Sequence, residues 1–256
     1  MTGVAHSSAG ARLSFEGDRV VKEHAADTDP AALAVRLRLA ASHPAFVPPL
    51  EPAVGVAPSG RPVTVWPRVT VASPSDPGLP WAEFGTLLAG LHRTPPPAGL
   101  PAHGWRGRLD RARDRAPAEL ASLGDALAEA LDRRGEPGVL LHGDWHLGQL
   151  GRWDGTWRLL DVDDTGVGDP AWDLARPAGF WASGLLDDDD WQAFLAGYRT
   201  AGGPAVPASG DPWPGLDLPA RVAVFVAAVR YPLTAPDPHS DDTAEALLAA
   251  CLRMAQ

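Results

Sequence analysis

The sequence predicts an α+β chain in two lobes, a small β-rich N-terminal lobe over residues 1–72 and a larger, mainly helical C-terminal lobe over residues 73–256. Three observations carry this. Val- and Thr-rich runs crowd the first 71 residues, helical periodicity dominates after about residue 80, and a Pro/Ser/Gly stretch at 73–80 separates the two. At 256 residues the chain is long enough for one large or two small domains around a sizeable core.

In chain order, residues 12–15 and 19–22 form a hairpin turned by Glu16-Gly17-Asp18, which puts Lys22 on a strand after two β-branched residues. Asp29 as N-cap with Pro30 in the first turn starts a helix to about Ala41, and Pro44 with Pro48-Pro49 marks its exit. Residues 61–71 read as another strand. Helices follow at 81–92 and 106–134, the second broken at Pro117. A short apolar strand at 139–141 leads into the loop 142–148, then two strands turned by Asp154-Gly155 and ending at Asp161. Asp169-Pro170 caps a helix to about Ala182, residues 187–190 open another, 202–214 form a surface loop, and Ser240-Asp241-Asp242 opens a last helix. There is no internal repeat.

Hydrophobic residues at 45% and ten Trp indicate a packed globular protein and exclude a wholly disordered one. No apolar run reaches the roughly 18 residues needed to span a bilayer, and MTGVAHSSAG lacks a signal-peptide pattern, so a cytoplasmic location is expected. The single cysteine, Cys251, in the apolar run ALLAACLRM, reads as an inert packed thiol. A net charge of −10 with no dense basic stretch argues against nucleic acid as a partner and favours cationic small molecules. No membrane partner is expected, and the chain reads as a monomer. Of the 22 basic residues only Lys22 is lysine, and Asn and Ile are absent, as in a GC-rich coding bias. That bias gives Lys22 weight, because arginine would serve wherever only positive charge is needed, whereas an ammonium on phosphate is not interchangeable with a guanidinium.

The chemistry concentrates in His142-Gly-Asp-Trp-His-Leu-Gly-Gln149, Leu159-Leu-Asp-Val-Asp163 and Gly168-Asp-Pro-Ala-Trp-Asp-Leu174. Phosphoryl transfer needs an acceptor for the hydroxyl proton and oxygen ligands for Mg²⁺. Asp144 and Gln149 lie five apart after a buried strand, and Asp161 follows twelve residues later at the end of a hairpin. Protein kinases space a catalytic-loop Asp, a metal-binding amide and a second metal-binding Asp in this way. Each residue also has a plainer reading: a loop-capping aspartate for Asp144 or Asp161, an exposed strand lysine for Lys22, a bracing histidine for His142 and His146, a helix cap for Asp169.

The segments HGDWHLGQ, LLDVDD and GDPAWDLA resemble the aminoglycoside phosphotransferase and choline kinase family of small-molecule kinases, which have a protein-kinase-like fold. The resemblance is dense over residues 139–175 and co-linear elsewhere. It implies that Asp144 is the catalytic aspartate, Gln149 the amide ligand and Asp161 the main carboxylate of Mg²⁺, and Lys22 the lysine on the nucleotide phosphates. ATP or GTP would be co-substrate, its base against 65–68 and so against Trp66. The acceptor would be a small hydroxyl compound, an amino sugar such as an aminoglycoside suiting the acidic charge, with neutral sugars and amino alcohols open.

Two departures stand out. Gln149 replaces the usual Asn, keeping the amide oxygen but adding a methylene, as in maltokinase-like members of the broader family. The helix from Pro30 has no Glu to pair with Lys22, a pairing kinases use; Glu23 points to the other strand face, and Glu51 is the nearest downstream candidate. The missing Glu and the minimal N-terminal lobe suggest a competing reading, a catalytically silent nucleotide- or ligand-binding relative. A third takes His142-x-Asp144-x-His146 as the metal site of a hydrolase.

Overall fold

The computed structural model describes residues 3–6, 10–135, 137–234 and 238–255. Among them the elements run β1 (Gly3–His6), β2 (Arg12–Glu16), β3 (Arg19–Glu23), α1 (Pro30–Ser42), β4 (Gly55–Val56), β5 (Pro62–Pro67), β6 (Thr70–Val71), α2 (Trp81–His92), α3 (Trp105–Arg113) and α4 (Ala121–Asp132). They continue with β7 (Val139–Leu141), β8 (Leu150–Trp153), β9 (Thr156–Leu159), β10 (Gly166–Gly168), α5 (Ala171–Ala182), α6 (Asp188–Thr200), α7 (Trp213–Thr234) and α8 (Pro238–Met254). Contacts divide the chain into two units: Met1–Leu79, Pro96–Pro101 and Leu147–Thr165 form the first, and Pro80–Pro95, Ala102–His146 and Gly166–Gln256 the second. Compared with a split at residue 72, this grouping places 73–79, 96–101 and 147–165 with the N-terminal strands.

In the first unit β1-β2-β3-β5-β4 form an antiparallel sheet. The hairpin at Gly17 (φ 66°) sets the register so that Lys22 faces Leu13 on one side and Thr64 on the other. Asp29 caps α1 by accepting from Ala31 N at 2.8 Å, and Leu33 and Leu37 of this helix are fully buried. The strand expected over 61–71 is two strands: β5 stays in this sheet, while β6 pairs with β8 in a second sheet of order β6-β8-β9. The break follows Pro67, which has no N–H to continue the ladder. Asp154 (φ 49°) and Gly155 (φ 74°) both adopt the left-handed conformation that a two-residue hairpin of this kind needs.

In the second unit β7 pairs antiparallel with β10 beneath the helices. The expected helix over 106–134 is α3 and α4 joined by a 3₁₀ turn at Ala118–Leu120, broken near Pro117 as expected. Gly85 of α2 and Gly197 of α6 let these helices touch backbone to backbone: a Cβ at Gly85 would overlap the Phe194 carbonyl, and one at Gly197 the Ala82 carbonyl. Trp105, Leu109, Leu127, Trp172 and Phe225 centre the core. Helix α7 begins at Trp213, inside the loop expected over 202–214, and tolerates Pro214 in its first turn; it packs on α5 and α8 with Leu216, Val222 and Phe225 buried. The last helix begins at Pro238, before the expected Ser240. Burial pushes the Cys251 thiol up to about 11, which makes it a poor nucleophile. Among the described residues no helix is long and apolar enough to cross a membrane.

Candidate active site

The first unit gathers Lys22, Asp161 and Gln149. Strand alternation turns Lys22 inward from β3, and its ammonium meets Asp161 Oδ1 at 2.6 Å and Asp163 Oδ2 at 2.9 Å, with only 10% of the side chain exposed. Burial works against the charge, but the two carboxylates outweigh it and hold Lys22 above the usual lysine range. Asp161 follows β9 in a left-handed conformation (φ 53°), uncommon for a residue with a Cβ and of the kind that clusters at working sites. Its Oδ1 also accepts from Asp163 N at 3.1 Å. Gln149 ends a 3₁₀ turn at Leu147–Gln149, and its carbonyl accepts from Leu160 N at 2.8 Å, one residue before Asp161. Gln149 and the Asp161 segment are thereby tied through the backbone.

A hydrogen-bonded chain runs behind this pair. Trp66 Nε1 donates to Thr64 Oγ1 at 2.8 Å, His24 Nε2 lies 2.8 Å from the same hydroxyl, and His24 Nδ1 faces Asp163 at 3.0 Å from Oδ1 and 3.2 Å from Oδ2. A carboxylate only accepts, so Nδ1 carries the shared proton, and in the neutral ring Nε2 accepts from Thr64. His24 is fully buried. Burial would raise the Asp163 pKa, but the His24 hydrogen bond and the Lys22 charge overcome it and hold the carboxylate below the usual range. Asp163 is thus a paired acid, and Asp164 lies near Arg36. Glu23 binds Ser59 and Arg61, and Glu51 is exposed; neither is a partner of Lys22.

In the second unit a single buried carboxylate braces the loop that carries Asp144. Asp173 of α5 accepts from His142 N at 2.7 Å, Gly143 N at 2.8 Å and His92 Nε2 at 3.0 Å. Burial opposes its charge, but these bonds, His92 first, hold it below the usual carboxylate range. His92 Nδ1 in turn meets the Tyr198 hydroxyl at 2.7 Å. The loop can take this path because Gly143 adopts φ 86°. Asp169 accepts from Ala171 N at 2.9 Å, opening α5, and from Arg134 Nε at 2.9 Å.

Asp144 Oδ1 accepts from Arg108 Nη1 and Arg176 Nη2, each at 3.0 Å. Arg108 Nη1 also reaches the Gly143 carbonyl at 3.0 Å and stacks its guanidinium over Trp105. Burial would raise the Asp144 pKa, but Arg176 and Arg108 pull it below the usual range. His146 Nε2 stands 3.9 Å from Asp144 Oδ2, and burial with the nearby Arg176 charge pushes its pKa down to about 3. His146 is therefore neutral near pH 7, and Oδ2 is the Asp144 oxygen without a guanidinium.

Sequence reasoning missed Arg108, Arg176, His24 and Thr64. For His24 a signal existed: it lies two residues beyond Lys22 and so on the same strand face. Arg176 lies one helical turn after Asp173, also on one face. Arg108 carried no local signal. Among the described residues no group of three or more His, Cys, Asp or Glu is arranged to hold a metal, which leaves the His142-x-Asp144-x-His146 hydrolase reading without a site. Magnesium sets a lower demand, one or two carboxylates with phosphate oxygens and water filling the rest.

Comparison with known proteins fits this picture. A family model described as the phosphotransferase enzyme family matches residues 17–213. A glucosamine kinase of Streptacidiphilus jiangxiensis is 29% identical over 204 residues, 70% of this chain and 43% of that protein, so the chain spans less than half the length of this relative. A choline/ethanolamine kinase family protein from Mesorhizobium loti superposes with a TM-score of 0.66 at 18% identity, over 98% of this chain and 86% of that one. A spectinomycin phosphotransferase solved with ADP and spectinomycin superposes at 0.60 with 16% identity, over 99% and 87%. These two likenesses establish a shared α+β, protein-kinase-like fold.

Proposed function

From the premise that this chain belongs to the phosphotransferase enzyme family, we propose that it transfers the γ-phosphoryl group of ATP or GTP to a hydroxyl of a small molecule with Mg²⁺ as cofactor. The observation that carries the proposal is the Lys22–Asp161 pair at 2.6 Å: a cation suited to phosphate oxygens beside a carboxylate suited to the metal that accompanies them.

The residues fit magnesium on one point of donor chemistry. Asp161 Oδ2 takes part in none of the hydrogen bonds of the described residues, and the side chain is 36% exposed, which leaves one hard oxygen free. Asp161 would hold the ion with the Gln149 amide oxygen. When bound, Mg²⁺ neutralises charge on the phosphates. Lys22 would meet the α/β-phosphates, with the nucleotide base against Trp66.

Asp144 Oδ2 would accept the hydrogen bond of the acceptor hydroxyl and orient its oxygen in line with the γ-phosphorus. The acceptor O–P bond forms as the bridging P–O bond breaks, the bridging electron pair stays on the departing nucleoside diphosphate, and the hydroxyl proton passes to Asp144. A carboxylate held below its usual range is a weak base, so proton transfer comes late, when bonding to phosphorus has made the hydroxyl acidic. Arg108 and Arg176 keep Asp144 charged and fixed for this role. An amino sugar is the favoured acceptor class, supported by the acidic net charge and by the glucosamine kinase relative.

The silent-relative reading rested on the absent helix Glu and the minimal N-terminal lobe; against the first ground, Asp161 and Asp163 give Lys22 carboxylate partners. A coupled assay of nucleotide turnover, with ATP and GTP in parallel against glucosamine, aminoglycosides, neutral sugars and amino alcohols, tests the proposal. Magnesium-dependent turnover above the acceptor-free rate is expected. Nucleotide binding without turnover on any acceptor would favour the silent relative, and neither binding nor turnover would remove the proposal.

A further inference from the structure

We infer that Asp163, braced by His24, is the positioning residue of Lys22 and stands in for the helix glutamate that α1 lacks. For its catalytic consequence this rests on the kinase reading above.

Helix α1 carries no acid at all, and its inward charged residue is Arg36, whose Nε donates to the Thr165 carbonyl at 2.7 Å. The helix therefore offers a guanidinium to the segment after β9 and no carboxylate to β3. The partners of Lys22 come from that segment. Of its two carboxylates, Asp161 is the more exposed and the one with an uncommitted oxygen, so it is the one that a metal ion would engage. Asp163 is committed on a second side: His24 Nδ1 lies within 3.2 Å of both its oxygens, and His24 is anchored by Thr64, which Trp66 holds in turn.

The anchor lies in the same sheet as its target. Thr64 of β5 stands directly opposite Lys22 of β3, and His24 N donates to the Pro62 carbonyl at 2.9 Å. Two neighbouring strands thus fix the carboxylate that fixes the ammonium, and both partners are largely removed from water, where charge-assisted hydrogen bonds are strongest. Asp163 Oδ1 is buried and makes no well-aligned hydrogen bond, His24 Nδ1 at 3.0 Å lying off axis, so the brace is electrostatic as much as directional. The alternative role for Asp163 is a second metal ligand, and the two roles separate experimentally.

Lys22 is the sole lysine, so lysine labelled with ¹⁵N gives a single side-chain ammonium resonance in the whole chain. That signal reads the position of Lys22 without any activity. It is expected to be protected from solvent exchange in the native chain and to broaden or vanish in Asp163→Asn. His24→Ala should do the same less completely, and His24→Gln, which keeps a donor, should restore part of it. In turnover, Asp163→Asn should raise the KM for nucleotide roughly tenfold with a smaller fall in kcat, and the Mg²⁺ concentration for half-activation should stay where it is. An Mg²⁺ requirement that moves while the lysine resonance does not would make Asp163 a metal ligand and overturn the inference, as would an unchanged resonance with unchanged nucleotide KM. If the native chain shows no turnover on any acceptor but the resonance still responds to Asp163→Asn, the kinase reading fails and the positioning role stands. Should Asp163→Asn not fold, Thr64→Val, which removes only the hydroxyl behind His24, carries the same expectation for the resonance in weaker form, and an unaltered signal there overturns it.

Discussion

Arg176 Nη2 lies 3.0 Å from Asp144 Oδ1, so the aspartate assigned to the acceptor hydroxyl is held by a guanidinium from a helix 32 residues further along the chain. Arg108 shares the same oxygen. Removing one arginine therefore weakens the hold on Asp144 without abolishing it. Arg176→Leu should let the Asp144 pKa rise and move the acid limb of kcat/KM against pH upward by about one unit, with lower turnover. An acid limb in the same place would detach Arg176 from the titration of Asp144.

Asp144→Asn keeps the shape of the side chain and removes its basicity. Turnover should fall by roughly 10²–10⁴-fold while nucleotide affinity stays nearly unchanged. Retention of more than about a tenth of the rate would end the role assigned to Asp144.

Asp161→Ala removes the carboxylate with the free oxygen. The rise in melting temperature that nucleotide gives with Mg²⁺ should disappear, while a metal-independent rise, if present, persists. An undiminished Mg²⁺-dependent rise would place the metal elsewhere.

Lys22→Arg preserves charge but replaces a compact ammonium, bonded to two carboxylates, with a planar fork. Nucleotide affinity or turnover should fall by about tenfold or more, and more than the melting temperature of the free protein suggests. An effect confined to stability would refute contact with phosphate.

Asp173 and Asp163 both have folded pKa values below the usual carboxylate range. The stability each supplies is in place above the unfolded value near 4 and is lost as pH falls through the depressed folded value. The urea midpoint should therefore drop steadily below about pH 4. In Asp173→Asn, which loses the charge behind two loop amides and His92, the midpoint should be lower at neutral pH and flatter in acid. Parallel curves for native and variant chains would show that Asp173 does not contribute to the acid transition.

What the sequence determined was local. Asp29-Pro30 opens α1, residues 81–92 form α2 with the expected ends, Asp154-Gly155 turns β8 into β9, and Asp169 caps α5, because each depends on caps, turn conformations and periodicity within a few residues. The motif spacing likewise marked Asp144, Gln149 and Asp161 as chemically notable residues. Tertiary structure decided the rest. Helix α7 forms although Pro219 and Pro232 inside it each forgo a backbone bond, because burial against α5 and α8 outweighs that loss, and the three-residue β10, glycine at both ends, is held by pairing with β7 and by a bridge from Ala102 to Val167. The partners of Lys22 lie 139 and 141 positions away along the chain, and the guanidiniums on Asp144 lie 36 and 32 positions away. Coulomb attraction acts through space and leaves no period or spacing in the chain, so which arginines hold Asp144, and which carboxylates pair with Lys22, become visible only when the fold has brought them together.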